Sequence, residues 1–236
     1  MIPGLAHGLA GAVPRVDLEL IGIGLGNATS IVSYSHSPQP GDIAILSNIS
    51  GLSYIDSEGS GDPQPPPNKV IPSGFTELQD ETHQRRSFST EHGGRITVSG
   101  RICDGTEGAS VSGMTSGTRR LALALFRPSL PVVFDAGLTG SAVTKGDGTT
   151  GVLPVSLGPR GKAPVLHIVC YRYLQNEANA VTGAPALASL DSGRNGHRTS
   201  WAYQQRPADL AAQSAQLTIS RNNHFIGTIL GLVLRP

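Results

Sequence analysis

The chain is poor in the residues on which several common classes of protein depend. Only two of its 236 residues are cysteine, and aromatic residues make up 5% of the sequence. Two distant cysteines cannot close a zinc site by themselves, and no Cys-x-x-Cys pair occurs. The framework of a small disulfide-dependent secreted domain is therefore excluded. Cys103 and Cys170 each lie in an apolar, strand-like run, which favours two buried thiols; a disulfide between strands is the alternative.

Charge is scarce as well. Charged residues make up 15% of the chain, and its formal net charge is +1 at pH 7. The sequence lacks the basic excess with which proteins hold nucleic-acid phosphates, and it has no polybasic segment for a membrane surface. No apolar run reaches the length of a membrane-spanning helix, roughly 20 residues. We therefore expect neither a nucleic-acid partner nor insertion into a membrane.

Sequence motifs for cofactors and metals are also missing. No Gly-x-Gly-x-x-Gly turn joins a strand to a helix, and no His-Glu-x-x-His occurs. Four acids offer oxygen ligands for calcium, but their spacing matches no known calcium loop. We expect no cofactor and no metal. The four acids are Asp42, Asp56, Glu58 and Asp62.

Glycine and proline are abundant, with 30 and 17 residues. This composition is typical of short strands joined by tight turns, and alternating apolar residues indicate roughly twelve strands. The sequence therefore predicts an all-β protein, in which residues 16–236 form a jelly-roll-like antiparallel β-sandwich. Residues 1–15 are predicted to be an extended N-terminal arm.

The segment 118–128, TRRLALALFRP, is apolar on both of the faces that a strand presents. Such a strand must be covered on both sides, so we predict that it lies inside a sandwich or under a neighbouring subunit. Residues 226–236, IGTILGLVLRP, repeat the Leu-rich pattern and its Arg-Pro ending. Both a distant duplication and the convergence of two buried strands explain the repeat. The faces of the first segment are Leu121, Leu123 and Leu125 on one side and Ala122, Ala124 and Phe126 on the other.

The predicted arm is apolar and rich in small residues. It lacks the basic region of a secretory signal, and prolines interrupt it, so we expect the protein to keep Met1 onward. An extended segment loses entropy on ordering unless it docks on something. One hypothesis is a tether on a neighbouring subunit or another protein, and the alternative is a flexible terminus. The docking candidates are Ile2, Pro3, Leu5, Leu9 and Val13.

One acidic cluster has the residue types of a catalytic site. In a strand, Glu81 and His83 share a face, as a general base and its orienting partner do, and Asp80 lies beside them. The alternative is a wet charged hairpin in which Arg85 and Arg86 balance the acids. Because no nucleophile motif accompanies the cluster, we predict that the protein is not an enzyme.

A second set of residues is suited to sugar binding. Trp201 and Tyr203 share one face of a predicted strand, and an exposed aromatic ring stacks on the apolar face of a pyranose. Gln204, His197 and Asn195 supply polar groups for its hydroxyls. The alternative is that Trp201 anchors the core of the sandwich.

Three phrases together resemble a β-sandwich domain of tailed-phage structural proteins. They are PQPGDIAIL at 38–46, VIPSGFTEL at 70–78 and LALALFRP at 121–128, and the resemblance covers about residues 30–128. It implies a part of a virion, such as a head fibre, spike, decoration protein or tail fibre. Gene transfer agents carry similar parts.

This resemblance also implies how the protein works. The expected partners are further copies of the same chain, in a trimer, and a neighbouring virion protein contacted through the arm. Assembly would take place in the bacterial cytoplasm. A receptor-binding module for host surface polysaccharide is the alternative function.

Overall fold

In the computed structural model, the described backbone covers residues 16–27, 29–51, 68–87, 90–112 and 118–134, and the strands beyond residue 139. Side chains are described for residues 16–26, 29–50, 68–82, 95–112 and 121–134. The predicted arm, with Ile2, Pro3, Leu5, Leu9 and Val13, lies outside these residues. Within them all regular structure is β, in antiparallel pairs, so the prediction of an all-β protein is confirmed for this part of the chain.

The first seven strands form a five-stranded sheet and a two-stranded ribbon. The sheet has the order β1-β7-β3-β5-β4, and the ribbon pairs β2 with β6. The strands are β1 (Leu18–Asn27), β2 (Val32–Ser33), β3 (Ile43–Gly51), β4 (Thr76–Ser87), β5 (Thr90–Ile102), β6 (Ser110–Val111) and β7 (Thr118–Pro128).

Strand β7 lies between β1 and β3 and is covered on both faces. Its six apolar residues from Leu121 to Phe126 are all 0% exposed. The leucines pack with Val32 and Val111 of the ribbon, and the opposite face joins a cluster that includes Ile45. Burial of such a side chain contributes roughly 1.5–3 kcal/mol. The prediction of a doubly covered central strand is therefore confirmed in a single chain.

The second half forms two further sheets. Strand β16 is paired with β11 and also with β8 and β9, and β14 lies between β11 and β13. A three-stranded sheet has the order β10-β15-β12. The strands are β8 (Val133–Phe134), β9 (Gly140–Asp147), β10 (Gly151–Leu157), β11 (Val165–Tyr173), β12 (Ala180–Thr182), β13 (Ala188–Arg194), β14 (His197–Arg206), β15 (Gln213–Ile219) and β16 (His224–Arg235).

The two halves share one strand order. The first unit, residues 16–128, has β1-β7-β3-β5-β4, and the second unit, residues 140–235, has β9-β16-β11-β14-β13. The small pairs correspond too, because β2 with β6 matches β10 with β15. The hairpins β4–β5 and β13–β14 each close over two residues. Two unrelated strands that had converged on a Leu-rich pattern would not share this order, so the correspondence favours duplication.

The two units approach each other through their larger sheets. Some Cα atoms of β11 lie within 8 Å of Cα atoms in β3 and β5. Some Cα atoms of β16 lie within the same distance of Cα atoms in β4 and β5. Strands β3 and β5 are next to each other in the first sheet. The second unit therefore approaches the part of the first sheet that β3, β5 and β4 form.

Candidate functional site

The first of the three phrases forms a tight turn before β3. The Asp42 N–H donates to the Gln39 carbonyl at 3.0 Å, and Gly41 has φ +88°. Proline followed by a left-handed glycine is the sequence of a type II turn. A Cβ on Gly41 would meet no atom within 4 Å, so the turn itself requires the glycine.

The Asp42 carboxylate joins this turn to the end of β7. It accepts hydrogen bonds from Arg127 Nε at 2.8 Å and Arg127 Nη2 at 2.9 Å, and from the Gln39 N–H at 2.8 Å. The Asp42 side chain is 2% exposed and that of Arg127 is 37% exposed. This bidentate pair, here called the clamp, is the strong form of a charge-assisted bond. The hydrogen bond with Asp42 raises the pKa of Arg127.

The clamp argues against the possibility that Asp42 is a calcium ligand. Its carboxylate oxygens are occupied by Arg127 and Gln39, which leaves them poorly placed for a cation. No group of three or more metal-ligating side chains occurs among the residues that the structure describes. The other three candidates, Asp56, Glu58 and Asp62, lie outside those residues.

The second phrase forms a similar turn before β4. The Phe75 N–H donates to the Pro72 carbonyl at 3.1 Å, and Gly74 has φ +80°. A Cβ on Gly74 would also lie only 3.1 Å from Arg101 Nη1. Glycine is therefore favoured there by the backbone and by the close approach of an arginine.

Arg101 connects this turn to the loop after β5. Its Nη2 lies 2.7 Å from Glu107 Oε1, and its guanidinium carbon lies 6.0 Å from the centre of the Phe75 ring, at the limit of a cation–π contact. The Glu107 side chain is 2% exposed and accepts the N–H groups of Asp104 and Gly105 at 2.9 Å each. Glu107 is therefore held by one cation and two backbone donors.

A recess of about 160 Å³ lies between this arginine and the ribbon. Two of the lining residues contain buried donors, Tyr34 Oη and Arg101 Nε, that make no hydrogen bond within the described chain. Burial is the main reason that the pKa of Tyr34 is raised, so its hydroxyl stays protonated. We call this cavity the Tyr34 recess. It is lined by Tyr34, Pro72, Ser73, Phe75, Arg101, Glu107, Gly108, Ser110, Val111 and Ser112.

Cys103 lies beside this network as a free, buried thiol. Burial, followed by the charge of Glu107, raises the pKa of Cys103 to about 12. A thiol with so high a pKa is a poor nucleophile. The prediction of a buried thiol is confirmed for Cys103, and a disulfide at this residue is wrong; the side chain of Cys170, on β11, lies outside the described residues.

The acidic residues of the cluster on β4 lie on opposite faces of the strand, because side chains alternate along it. Asp80 accepts hydrogen bonds from Arg95 Nε at 2.8 Å and from Thr97 Oγ1 at 3.1 Å on the neighbouring strand β5. Glu81 is the next residue along β4 and therefore lies on the opposite face. Asp80 is thus part of an ion pair between strands, as the hairpin alternative implies, although its cation is Arg95 and not Arg85 or Arg86. The side chain of His83 is outside the described residues.

The predicted sugar-binding residues fall on or next to β14. Trp201, Tyr203, Gln204 and His197 belong to this strand, which is paired on both sides, with β13 and with β11. Their side chains, and the whole of Asn195, lie outside the described residues. Positions 201 and 203 are two residues apart in a strand, so the predicted shared face agrees with the backbone.

The residues of the Tyr34 recess were not among the predicted site residues. One signal for them exists in the sequence, because Arg101 interrupts an otherwise uncharged run from Ile96 to Cys103. A charge in such a run needs a partner when the strand is buried. The partner, Glu107, follows a turn, and only the folded loop brings it to Arg101.

No helix in the described part of the chain is long and apolar enough to span a membrane. Comparisons of the chain with protein-family models, with curated proteins and with solved structures find no match.

Proposed function

We propose that the protein is a structural component of a phage-like virion and acts through assembly. The observation that carries this proposal is the connection of the three phrases on which the resemblance rests. Two of them form glycine turns of one type, and the clamp joins the first phrase to the third. Residues that form tight turns and an ion pair between strands suit a rigid structural domain.

The proposed architecture is a jelly-roll-like sandwich built from the two units. Each unit supplies a larger sheet and a smaller one, of two strands in the first unit and three in the second, and β11 and β16 approach the first sheet. A sheet that is apolar on both faces needs a layer on each side. The ribbon contacts one face of β7, and the second unit is the proposed cover of the other.

Assembly is proposed to proceed through surface apolar groups and the N-terminal arm. Leu25 and Ile31, near the end of β1, are each 48% exposed. Strand β1 is also an edge of its sheet, where unpaired backbone groups favour contact with another chain. The proposed assembly is a closed trimer, as expected of a fibre or spike. The arm is proposed to dock on a neighbouring virion protein.

Sedimentation velocity of the full chain, compared with a variant that lacks residues 1–14, tests this proposal. We expect a trimer for the full chain and weaker binding to purified virion particles for the shortened one. A full chain that stays monomeric at all concentrations, and that binds no particle with or without the arm, would contradict the proposal.

Binding of host surface polysaccharide is the second candidate function. The backbone of β14 supports it, because it places positions 201 and 203 on one face of a strand. A glycan array with the wild-type chain and the Trp201→Ala variant tests it. Loss of all bound glycans in the variant supports a site on β14, and an array without any bound glycan excludes the function.

A further inference from the structure

A cavity of about 220 Å³ lies between the turn before β3 and the end of β7 with the residues that follow it. Residues 39–42 form one wall and residues 127–131 the other, so the clamp joins the two walls. Three prolines and a leucine make much of the lining apolar. We call this space the clamp cavity, and its apolar lining residues are Pro40, Pro128, Leu130 and Pro131.

The chain enters the first unit at the rim of the clamp cavity. The Asp17 N–H donates to Ser129 Oγ at 2.9 Å, and the Ser129 N–H donates to the Asp17 carbonyl at 2.8 Å. Val16 is 2% exposed and belongs to the same apolar cluster as Val132, against which Leu130 packs. Ser129 and Leu130 also line the cavity. The residues directly before Val16 are therefore tethered beside it.

Proline weakens the β1–β7 ladder at the point where the arm joins it. Leu18 is opposite Pro128 in this pairing, so the same register makes Arg15 and Pro131 the next hydrogen-bonded pair after Asp17 and Ser129. That pair lacks one of its two bonds, because Pro131 has no N–H. We therefore expect the arm to leave the plane of the sheet near Arg15.

The length of the connecting segment decides which residues of the arm reach the cavity. The cavity lies on the β3 side of residues 127–131, and β1 lies on their other side. Neighbouring strands are about 4.8 Å apart, whereas the three residues from Val16 back to Val13 span up to about 10 Å. Val13 and Pro14 can thus reach the cavity of their own chain, and a second copy would have to lie within the same short span.

Size and polarity also fit these two residues. Cavities of about 150 Å³ hold a molecule of benzene, so a volume of 220 Å³ accommodates two small side chains. Val13 and Pro14 carry no charge, and the two charges at the cavity, Asp42 and Arg127, are already paired with each other. Docking of proline costs little conformational freedom, because its φ is fixed.

We propose that the clamp cavity holds Val13 and Pro14 of its own chain and so fixes the base of the N-terminal arm. The inference rests on the proposed docking of the arm on a neighbouring virion protein, and it divides the arm into two parts. Residues 13–15 belong to the first unit, and residues 1–12 remain for the partner. A fixed base reduces the freedom that the arm loses when it docks, which strengthens the docking.

Disulfide trapping in the full chain tests this contact. The variant carries Cys170→Ser together with Val13→Cys and Gln39→Cys, and oxidised glutathione is the oxidant. Gln39 is exposed and lines the cavity, and its substitution keeps the N–H that donates to Asp42. We expect a disulfide within one chain, seen as a single-chain band of altered mobility on non-reducing gels. Tryptic digestion should then give residues 1–15 linked to the peptide that contains position 39.

Two matched controls apply the same chemistry away from the proposed contact. Leu5→Cys with Gln39→Cys has the longer reach but uses the part of the arm that the cavity does not hold. Val13→Cys with Lys69→Cys has an exposed acceptor shortly before β4, the other edge strand of the sheet. Both controls should form the disulfide about tenfold more slowly. Equal rates in the three variants, each shown by circular dichroism to be folded, would overturn the proposed contact.

Two further measurements separate this inference from the function on which it rests. Chains with Val13→Cys alone are mixed with chains that have Gln39→Cys alone, and covalent dimers formed as fast as the disulfide of the double variant would overturn the contact within one chain. The cross-linked chain should bind purified virion particles as tightly as the wild type. Trapping without particle binding by any chain would contradict the proposed function alone, and arm-dependent binding without trapping would overturn the inference alone.

Discussion

The two units have the same strand order but differ in sequence at the segment before the strand that follows the first small strand, β3 in the first unit and β11 in the second. Both end in a Leu-rich strand and an Arg-Pro pair, Arg127-Pro128 in the first unit and Arg235-Pro236 in the second. In the first unit Asp42, directly before β3, holds the arginine. In the second, the residues between β10 and β11, GPRGKAP at 158–164, contain no acid. The segment before β11 therefore offers no acid at the place that Asp42 has before β3.

The largest expected effect tests whether the central strands β7 and β16 are equivalent. Leu123→Ala removes a side chain that is 0% exposed, and we expect the free energy of unfolding to fall by about 3–4 kcal/mol. Leu232→Ala makes the same substitution in β16, at the position that superposition of the two Arg-Pro pairs aligns with Ala124. Urea unfolding of both variants gives the comparison.

A similar loss at Leu232 is expected if β16 is sealed on both faces as β7 is. A loss below about 1 kcal/mol at Leu232 would show that the second unit repeats the strand order without the burial, and the equivalence of the two strands would be wrong.

A smaller effect is expected at the clamp. Asp42→Ala removes an acid that is 2% exposed and leaves the Gln39 N–H and Arg127 without their acceptor. Because Arg127 is 37% exposed and regains water, we expect a loss of about 2 kcal/mol, below the usual cost of breaking a fully buried pair. Urea unfolding measures it.

Arginine variants extend this test to both units. Arg127→Ala should destabilise the chain more than Arg235→Ala, since the segment before β11 offers no carboxylate in the place that Asp42 has before β3. Equal losses in the two variants would show that Arg235 has an equivalent partner elsewhere, and the contrast between the units would disappear.

Features that depend on neighbouring residues could be predicted from the sequence, and contacts between residues far apart in the chain could not. Alternation of Leu121 to Phe126 is local, so the strand and its two covered faces were predictable. The glycine turn at Gly41 is local as well. The clamp joins residues 85 positions apart, and the Tyr34 recess depends on a loop that turns Glu107 back to Arg101. Neither contact has a periodic signal, because one pair of charges can form at many separations.

The strand order of the second unit shows the same limit. The repeated Arg-Pro ending allowed a duplication, but the sequence alone favoured the convergence of two buried strands on one composition. The observation that favours duplication is the matching order of five strands, β9, β16, β11, β14 and β13, and this order is a property of the folded chain.

The last effect is absent at neutral pH and concerns the cysteines, of which each unit has one, Cys103 and Cys170. Burial raises the pKa of Cys103 to about 12 from an ordinary value of 9.0, so the folded chain keeps this proton where the unfolded chain loses it. The free energy of unfolding should therefore decline as the pH rises above 9.0 and stop declining near 12.

A Cys170→Ser variant isolates the thiol of the first unit for labelling with a chromogenic disulfide reagent. We expect Cys103 to react at pH 8 only after addition of urea; rapid labelling of the folded variant would show that the end of β5 opens in solution, and that the first unit is not the tightly sealed one.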